Sequence, residues 1–107
     1  MGLEIIWSKN ASNTLELAHK QYSLIVGISN SQLFIENLID KVNHLKFNPN
    51  SGKSIKYNNN TFNYLIHSHY KIIYQIKLIK NIKKVFILLV FDTRQNPNKL
   101  IELLKNI

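Results

Sequence analysis

Two cationic side chains in the second half of the sequence have the chemistry to bind a phosphate or another anion. Arg94 is the only arginine of the 107 residues and lies in a polar segment after the most apolar run of the chain. Lys71 lies in a run of alternating polar and apolar residues. Arginine grips oxyanions through a planar fork and lysine through a point charge, so both are candidate anion-binding residues. Simpler interpretations stay open: a salt bridge to Asp92 or a helix-end contact for Arg94, and an ordinary solvent-facing strand position for Lys71.

The histidines and the missing cysteines limit other chemistry. With no cysteine and only four scattered histidines, the sequence excludes thiol chemistry, and we expect neither a metal site nor a cofactor. His67 and His69 would share one face if a strand ran through both. They could form a metal pair or a general base, but no carboxylate is near them in sequence, which favours polar residues at a hairpin turn. The candidate target-binding or anion-binding residues are therefore Arg94, Lys71, Lys99 and His69.

The positive charge is confined to one half of the chain. Residues 1–52 hold four bases and four acids, whereas residues 53–107 hold ten bases and two acids, which accounts for the whole net charge of +8. Within that half, a basic surface is predicted around one strand turn, formed by Lys77, Lys80, Lys83 and Lys84. Such a surface suits a polyanion or an acidic protein. It could equally be a device that keeps a β-rich hairpin soluble.

The elements that must position these residues follow from hydrophobic periodicity. Residues 3–7 read as a short strand, and residues 11–26 as an amphipathic helix ended by Gly27. A second helix is expected from a Ser29 capping box through Phe47, and the short connection predicts an antiparallel helical hairpin. Residues 62–66, 70–78 and 85–91 have strand patterns separated by short turns, which predicts a three-strand antiparallel meander. A short helix, capped by Asn98, closes the chain.

The predicted fold class is α+β, with the N-terminal strand and the helical hairpin packed on a mainly antiparallel sheet. A length of 107 residues fits one domain, residues 1–107. With 45% hydrophobic residues, the chain is too apolar to be disordered. The longest apolar run, residues 85–91, is too short to span a membrane. We expect no signal peptide and a cytoplasmic protein. Tyr64, Tyr70 and Tyr74 beside Lys71 could stack on bases, although alternating aromatic residues more often pack a sheet on helices.

An ordered set of segments spans nearly the whole chain: Ile5-Ile6-Trp7-Ser8 with Ala11 and Leu15, then Tyr22, then Asn48-Pro49 with Gly52-Lys53, then Tyr70-Lys71-Ile72-Ile73-Tyr74, and lastly Asp92-Thr93-Arg94 with Pro97 and Leu100. Together these segments resemble the RelE/ParE superfamily of bacterial toxins. The long helical hairpin and the segment after the last strand are more similar to the ParE branch. The resemblance implies the cytoplasmic toxin of a type II toxin–antitoxin pair. Its partner would be a cognate antitoxin, ParD-like or another small protein. The toxin would form a homodimer or a hetero-oligomer with the antitoxin.

The two branches imply different chemistry. RelE toxins cleave messenger RNA in the ribosome, and by resemblance Lys71 and Arg94 would hold the scissile phosphate. The lysines that RelE places before the meander turn appear here as Phe62 and Tyr64, and residues 95–99 contain no tyrosine or histidine to handle protons. ParE toxins act on DNA gyrase without chemistry of their own. We therefore expect a ParE-like binding toxin, with a ribosome-dependent endoribonuclease as the alternative and an inactive, antitoxin-binding relative as a second alternative.

Overall fold

A computed structural model describes residues 2–107. Its elements, in chain order, are β1 (Glu4–Trp7), α1 (Lys9–Val26), α2 (Ile28–Asn43), β2 (Lys53–Tyr57), β3 (Asn60–His67), β4 (Tyr70–Ile79), β5 (Ile82–Asp92) and α3 (Pro97–Lys105). Two short 3-10 turns, His44–Lys46 and Pro49–Ser51, connect α2 to β2. None of these helices is long and apolar enough to cross a membrane.

The strands form one five-stranded sheet in the order β1-β5-β4-β3-β2. β1 pairs parallel to β5, and every other pair is antiparallel. The predicted α+β class and mainly antiparallel sheet are confirmed. The meander is longer than predicted, because β2 adds a fourth strand to the three that the alternating pattern indicated. The sequence prediction left residues 53–57 unassigned because the segment is short and largely polar. Of its side chains, only Ile55 and Tyr57 pack against the hydrophobic cluster on the α3 side of the sheet.

Tight turns hold the meander in register. Asn58 and Asn59 both have positive φ (52° and 67°), and so do Lys80 and Asn81 (52° and 66°). Two consecutive residues with positive φ are the hairpin turn whose twist matches that of the flanking strands. Asparagine tolerates this conformation better than most residues do, so the chain turns where the asparagines lie.

The helical hairpin is connected more tightly than the capping pattern predicts. Gly27 alone separates α1 from α2, and its φ of 88° favours glycine. The predicted Ser29 capping box is absent: α2 begins at Ile28, and Gly27 as its N-cap offers no side-chain hydrogen bond. Ser31 is instead buried between the helices, where its hydroxyl donates to the His19 carbonyl at 2.9 Å. The second helix also ends earlier than predicted, at Asn43, and Phe47 is exposed.

The sheet is covered on both faces. One face packs on α1 and α2 in a cluster that includes Ala18, Leu38 and Val42. The opposite face packs on α3 through Leu104. Residues 87–91 are buried and contribute to both clusters, as the doubly apolar run predicts for a central strand. Hence β4 and β5 are the rigid scaffold from which the candidate functional residues project.

Candidate functional site at the end of the sheet

The candidate site begins where β5 ends beside the turn that precedes β4. The carbonyl of His69 accepts two hydrogen bonds from Thr93, one from the backbone N–H at 2.8 Å and one from the hydroxyl at 2.7 Å. Ser68 in the same turn has a positive φ of 55°. The Thr93–His69 hydrogen bonds therefore bring the predicted site residues His69 and Arg94 to one end of the sheet. The segment after β5 is fixed there by its own hydrogen bonds.

Arg94 is fully paired along one edge with Asp92. Its Nε donates to Oδ1 at 3.0 Å, its Nη2 donates to Oδ2 at 2.9 Å, and its backbone N–H also donates to Oδ1 at 2.9 Å. The Arg94 hydrogen bond is the main reason that the pKa of Asp92 lies below its usual range, and the same bond raises the pKa of Arg94. The salt bridge left open by the sequence does form. With 47% of its side chain exposed, Arg94 still presents its outer edge to solvent.

Tyr70 lies beneath this pair. It is the cross-strand partner of Asp92 and is only 2% exposed. Its hydroxyl is close to the Arg94 guanidinium but has no hydrogen-bond partner of acceptable geometry among residues 2–107. Burial, followed by the negative charge of Asp92, raises the pKa of Tyr70. The site therefore has a neutral, buried hydroxyl below a compensated ion pair.

A groove of about 400 Å³ opens beside the pair, between α1 and α3. Its floor is the free edge of β5, since β1 pairs only with residues Lys84 to Ile87 of that strand. Two α1-side hydroxyls partly replace the missing strand: Ser8 donates to the Leu88 carbonyl at 3.1 Å, and Thr14 accepts from the Val90 N–H at 3.0 Å. The groove walls combine polar and apolar side chains, namely Asn10, Leu17, Gln21, Gln95, Lys99 and Leu103. Of the predicted residues, Lys99 lines this groove.

Lys71 is placed on the other face of the sheet. Neighbouring strand residues point to opposite faces; Tyr70 packs toward the helical hairpin, and the cross-strand partner of Lys71, Phe91, packs toward α3. The Lys71 ammonium lies 4.7 Å from the centre of the Tyr64 ring, a cation–π contact. The structure therefore separates Lys71 from the Asp92–Arg94 pair. An arrangement in which both cations grip one phosphate, as required of a RelE-like nuclease, is not assembled.

The tyrosines do not form a stacking surface for bases. Tyr70 and Tyr74 are buried against the helical hairpin. The Tyr74 hydroxyl donates to the Pro49 carbonyl at 2.7 Å and accepts from the Gly52 N–H at 3.1 Å. Tyr64 is half-buried on the opposite face. Two of the three rings thus have the packing role that alternating aromatic residues usually have in a sheet.

The two histidines of the turn have different surroundings. His67 packs on Phe34, with 4.8 Å between ring centres. Burial, followed by the positive charge of Lys41, lowers the pKa of His67. His69 is exposed. Among residues 2–107, no group of three or more potential metal ligands comes together, so the pair has no third ligand there.

The four lysines of the predicted basic surface are grouped around one turn of the sheet. Lys77, Lys80, Lys83 and Lys84 all lie on the β4–β5 hairpin around its turn. The Lys84 ammonium forms an ion pair with Glu4 at 3.2 Å, and the Lys77 ammonium lies 5.5 Å from the centre of the Phe86 ring. This surface is at the opposite end of the β4–β5 hairpin from Arg94.

By sequence, no protein-family model and no curated protein matches the chain. By structure, the chain is similar to one from "Chromosomal ParDE TA system from P. aeruginosa", with a TM-score of 0.70 over 84% of this chain and 95% of that chain. The chain has the RelE/ParE-like fold. At 15% identity, the RelE/ParE likeness concerns the arrangement of helices and strands, and it confirms the fold that the ordered sequence segments implied.

Sequence reasoning missed several residues that shape the groove. Thr14 lies inside the predicted first helix and Ser8 just before it, and their bonds to β5 are not evident from sequence because the edge that they cap is set by how far β1 extends along β5. Asp92 is predicted as a possible counter-ion of Arg94, but the additional backbone hydrogen bond from Arg94 to Asp92 is not. The Asp-x-Arg spacing is the local signal that could have indicated this second bond.

Proposed function

We propose that this protein is the toxin of a type II toxin–antitoxin pair, ParE-like in its action. The observation that carries the proposal is the fold likeness to a chain of the ParDE TA system, which extends over 95% of that chain. The proposed toxin acts by binding an essential nucleic-acid enzyme, DNA gyrase by resemblance. It is proposed to work in the cytoplasm as one domain formed by residues 1–107.

The arrangement of the cations supports binding over catalysis. Arg94 is already compensated by Asp92, and Lys71 lies on the opposite face of the sheet. A ribonuclease that uses the 2′-hydroxyl needs phosphate-binding cations and a proton-transfer group around one scissile bond. Instead, Arg94 presents a fixed, planar donor edge at a protein surface, where arginine is often an energetic hot spot.

The groove between α1 and α3 supports an antitoxin partner. Its apolar side chains, Leu17 and Leu103, would accept the apolar face of an amphipathic segment, and Lys99 would pair with an acidic residue on that segment. The β5 edge offers backbone groups for an added strand, which is a common way to recognise an extended peptide. We propose that an acidic C-terminal segment of a small cognate antitoxin occupies this groove.

Inducible expression in a bacterial host tests the toxin proposal. We expect loss of colony formation on induction, and rescue when a cognate antitoxin from an adjacent reading frame is co-expressed. Leu17→Glu in the groove should weaken rescue without reducing toxicity, whereas Leu24→Glu, on an exposed α1 position outside the groove lining, should leave rescue unchanged. Unchanged colony formation despite abundant, folded protein would contradict the proposal and favour an inactive relative.

A further inference from the structure

The β4–β5 hairpin extends beyond the rest of the sheet. β3 pairs with β4 only as far as Tyr74, and β1 pairs with β5 only from Lys84 onward. The last two cross-strand pairs, Leu78 with Lys83 and Ile79 with Ile82, therefore have no paired strand on either side. We call residues 77–84 the basic ribbon. It is a two-stranded projection closed by the tight turn at residues 80 and 81.

Positive charge lies on both faces of the basic ribbon. Directly opposed residues share a face, and neighbours alternate. Lys77 opposes Lys84 on one face, and Lys83 opposes Leu78 on the other. Lys80 lies in the turn at the tip. The ribbon contains no acidic residue, so it is cationic from every direction of approach.

Fold stability does not explain this arrangement. Like charges directly opposite each other destabilise a sheet, and of Lys77 and Lys84 only Lys84 has a counter-ion, Glu4, among residues 2–107. The same ribbon exposes Leu78 (65%) and Ile82 (60%), so it combines positive charge with apolar surface. Three lysines, Lys77, Lys80 and Lys83, remain without an ion pair in the described part of the chain.

We propose that the basic ribbon binds double-stranded DNA by entering the major groove. Strands in a ribbon lie about 4.8 Å apart, and the major groove of B-DNA, about 12 Å wide, admits a two-stranded ribbon. A ribbon that enters tip-first, with its plane along the groove, has a row of phosphates opposite each face, which matches cations on both faces. An acidic protein surface would contact one face only. Ile79 and Ile82 at the tip supply apolar contacts of the kind made to thymine methyl groups.

Fluorescence anisotropy of a labelled 20-base-pair duplex, titrated with the full chain at several salt concentrations, tests the proposal. Three free lysines predict a slope of log K against log salt of about −2.7, from about −0.9 for each phosphate contact. The test variant combines Lys77→Gln, Lys80→Asn and Lys83→Gln. The control variant removes the same charge at exposed positions elsewhere, with Lys20→Gln, Lys56→Gln and Lys105→Gln.

We expect the ribbon variant to bind at least about tenfold more weakly than wild type at 50 mM salt, with a slope near zero, and the control to stay within about threefold. Equal weakening of both variants would overturn the proposal, since net charge alone would then explain binding. Absence of wild-type binding at 100 μM protein would also overturn it, as would displacement of DNA by poly-glutamate at equal charge. If the triple variant fails to fold, Lys80→Asn alone should reduce the slope by about 0.9, and an unchanged slope would overturn the proposal. The assay contains only protein and DNA, so its outcome is independent of toxin activity.

Discussion

The two ends of the β4–β5 hairpin are built in opposite ways. At the end with the Asp92–Arg94 pair, which we call the site end, Asp92 and Arg94 are joined by three hydrogen bonds, and Thr93 is joined to His69 by two more. At the turn end, the basic ribbon has unpaired edges at residues 78, 79, 82 and 83, exposed apolar residues and lysines with few partners. The two ends are therefore suited to two different kinds of partner. A fixed donor edge suits a shaped protein surface, and a charged projection suits a polyanion.

The largest effect on stability should come from a leucine-to-aspartate substitution in the core, compared with the same substitution in the basic ribbon. Leu38 is fully buried in the cluster between the helical hairpin and the sheet, so Leu38→Asp should cost several kcal/mol and unfold the protein. Leu78→Asp in the ribbon, where the side chain is 65% exposed, should leave the fold intact. Circular dichroism with thermal denaturation measures both. A folded Leu38→Asp variant would contradict the described core.

A smaller effect should distinguish two buried tyrosine hydroxyls. Tyr74→Phe removes a donor to Pro49 and an acceptor from Gly52, so it should lower the free energy of unfolding by about 1–3 kcal/mol. Tyr70→Phe is the matched control: its hydroxyl has no hydrogen-bond partner of acceptable geometry in residues 2–107, so its loss should be neutral or stabilising. Urea denaturation of both variants gives the comparison. Equal destabilisation would show that the Tyr70 hydroxyl is also hydrogen-bonded.

Acid should destabilise the fold through His67, which lies at the site end. Burial and the charge of Lys41 lower its pKa from the ordinary value of 6.5, so the unfolded chain takes up this proton at a higher pH than the folded chain. Stability from this group is therefore complete above pH 6.5 and is lost as pH falls through the folded pKa. His67→Gln should remove that part of the pH dependence in melting curves between pH 7.5 and 5. An unchanged dependence would assign it to other groups.

The smallest stability effect is expected at Arg94. An exposed ion pair contributes little to folding, so Arg94→Ala should leave the melting temperature nearly unchanged. It should nevertheless weaken target binding by about 10- to 30-fold, as truncation of an interface arginine commonly does. Arg94→Lys, which keeps the charge and loses the fork, should recover part of that loss. Unfolding of Arg94→Ala would show that the arginine is structural.

The sequence predicted most of the fold because the strongly periodic segments obey local rules. The helical hairpin, the N-terminal strand and the doubly buried run at residues 85–91 all have clear patterns. β2 was missed because its formation depends on a partner, β3, that a short polar segment does not specify by itself. The predicted Ser29 cap was wrong because α2 begins at Ile28, so Ser29 lies inside the helix. The serine that bonds between the helices is Ser31.

The site was harder to predict than the fold. Local sequence placed Arg94 beside Asp92 correctly as one of two interpretations, because the spacing is short. It could not show that Lys71 lies on the other face. The face on which Lys71 lies depends on which alternate residues of β4 are buried against the helical hairpin, here Tyr70 and Ile72. The groove depends on the length of β1 relative to β5, which only the assembled sheet defines.

The central claim is that this protein acts by binding and not by cleaving RNA. Its most direct test adds the purified protein to two parallel assays, DNA supercoiling by purified gyrase and in vitro translation with analysis of the ribosome-bound message. We expect inhibited supercoiling, intact message and loss of the inhibition with Arg94→Ala. Codon-linked cleavage of ribosome-bound message with normal supercoiling would contradict the claim and identify an endoribonuclease.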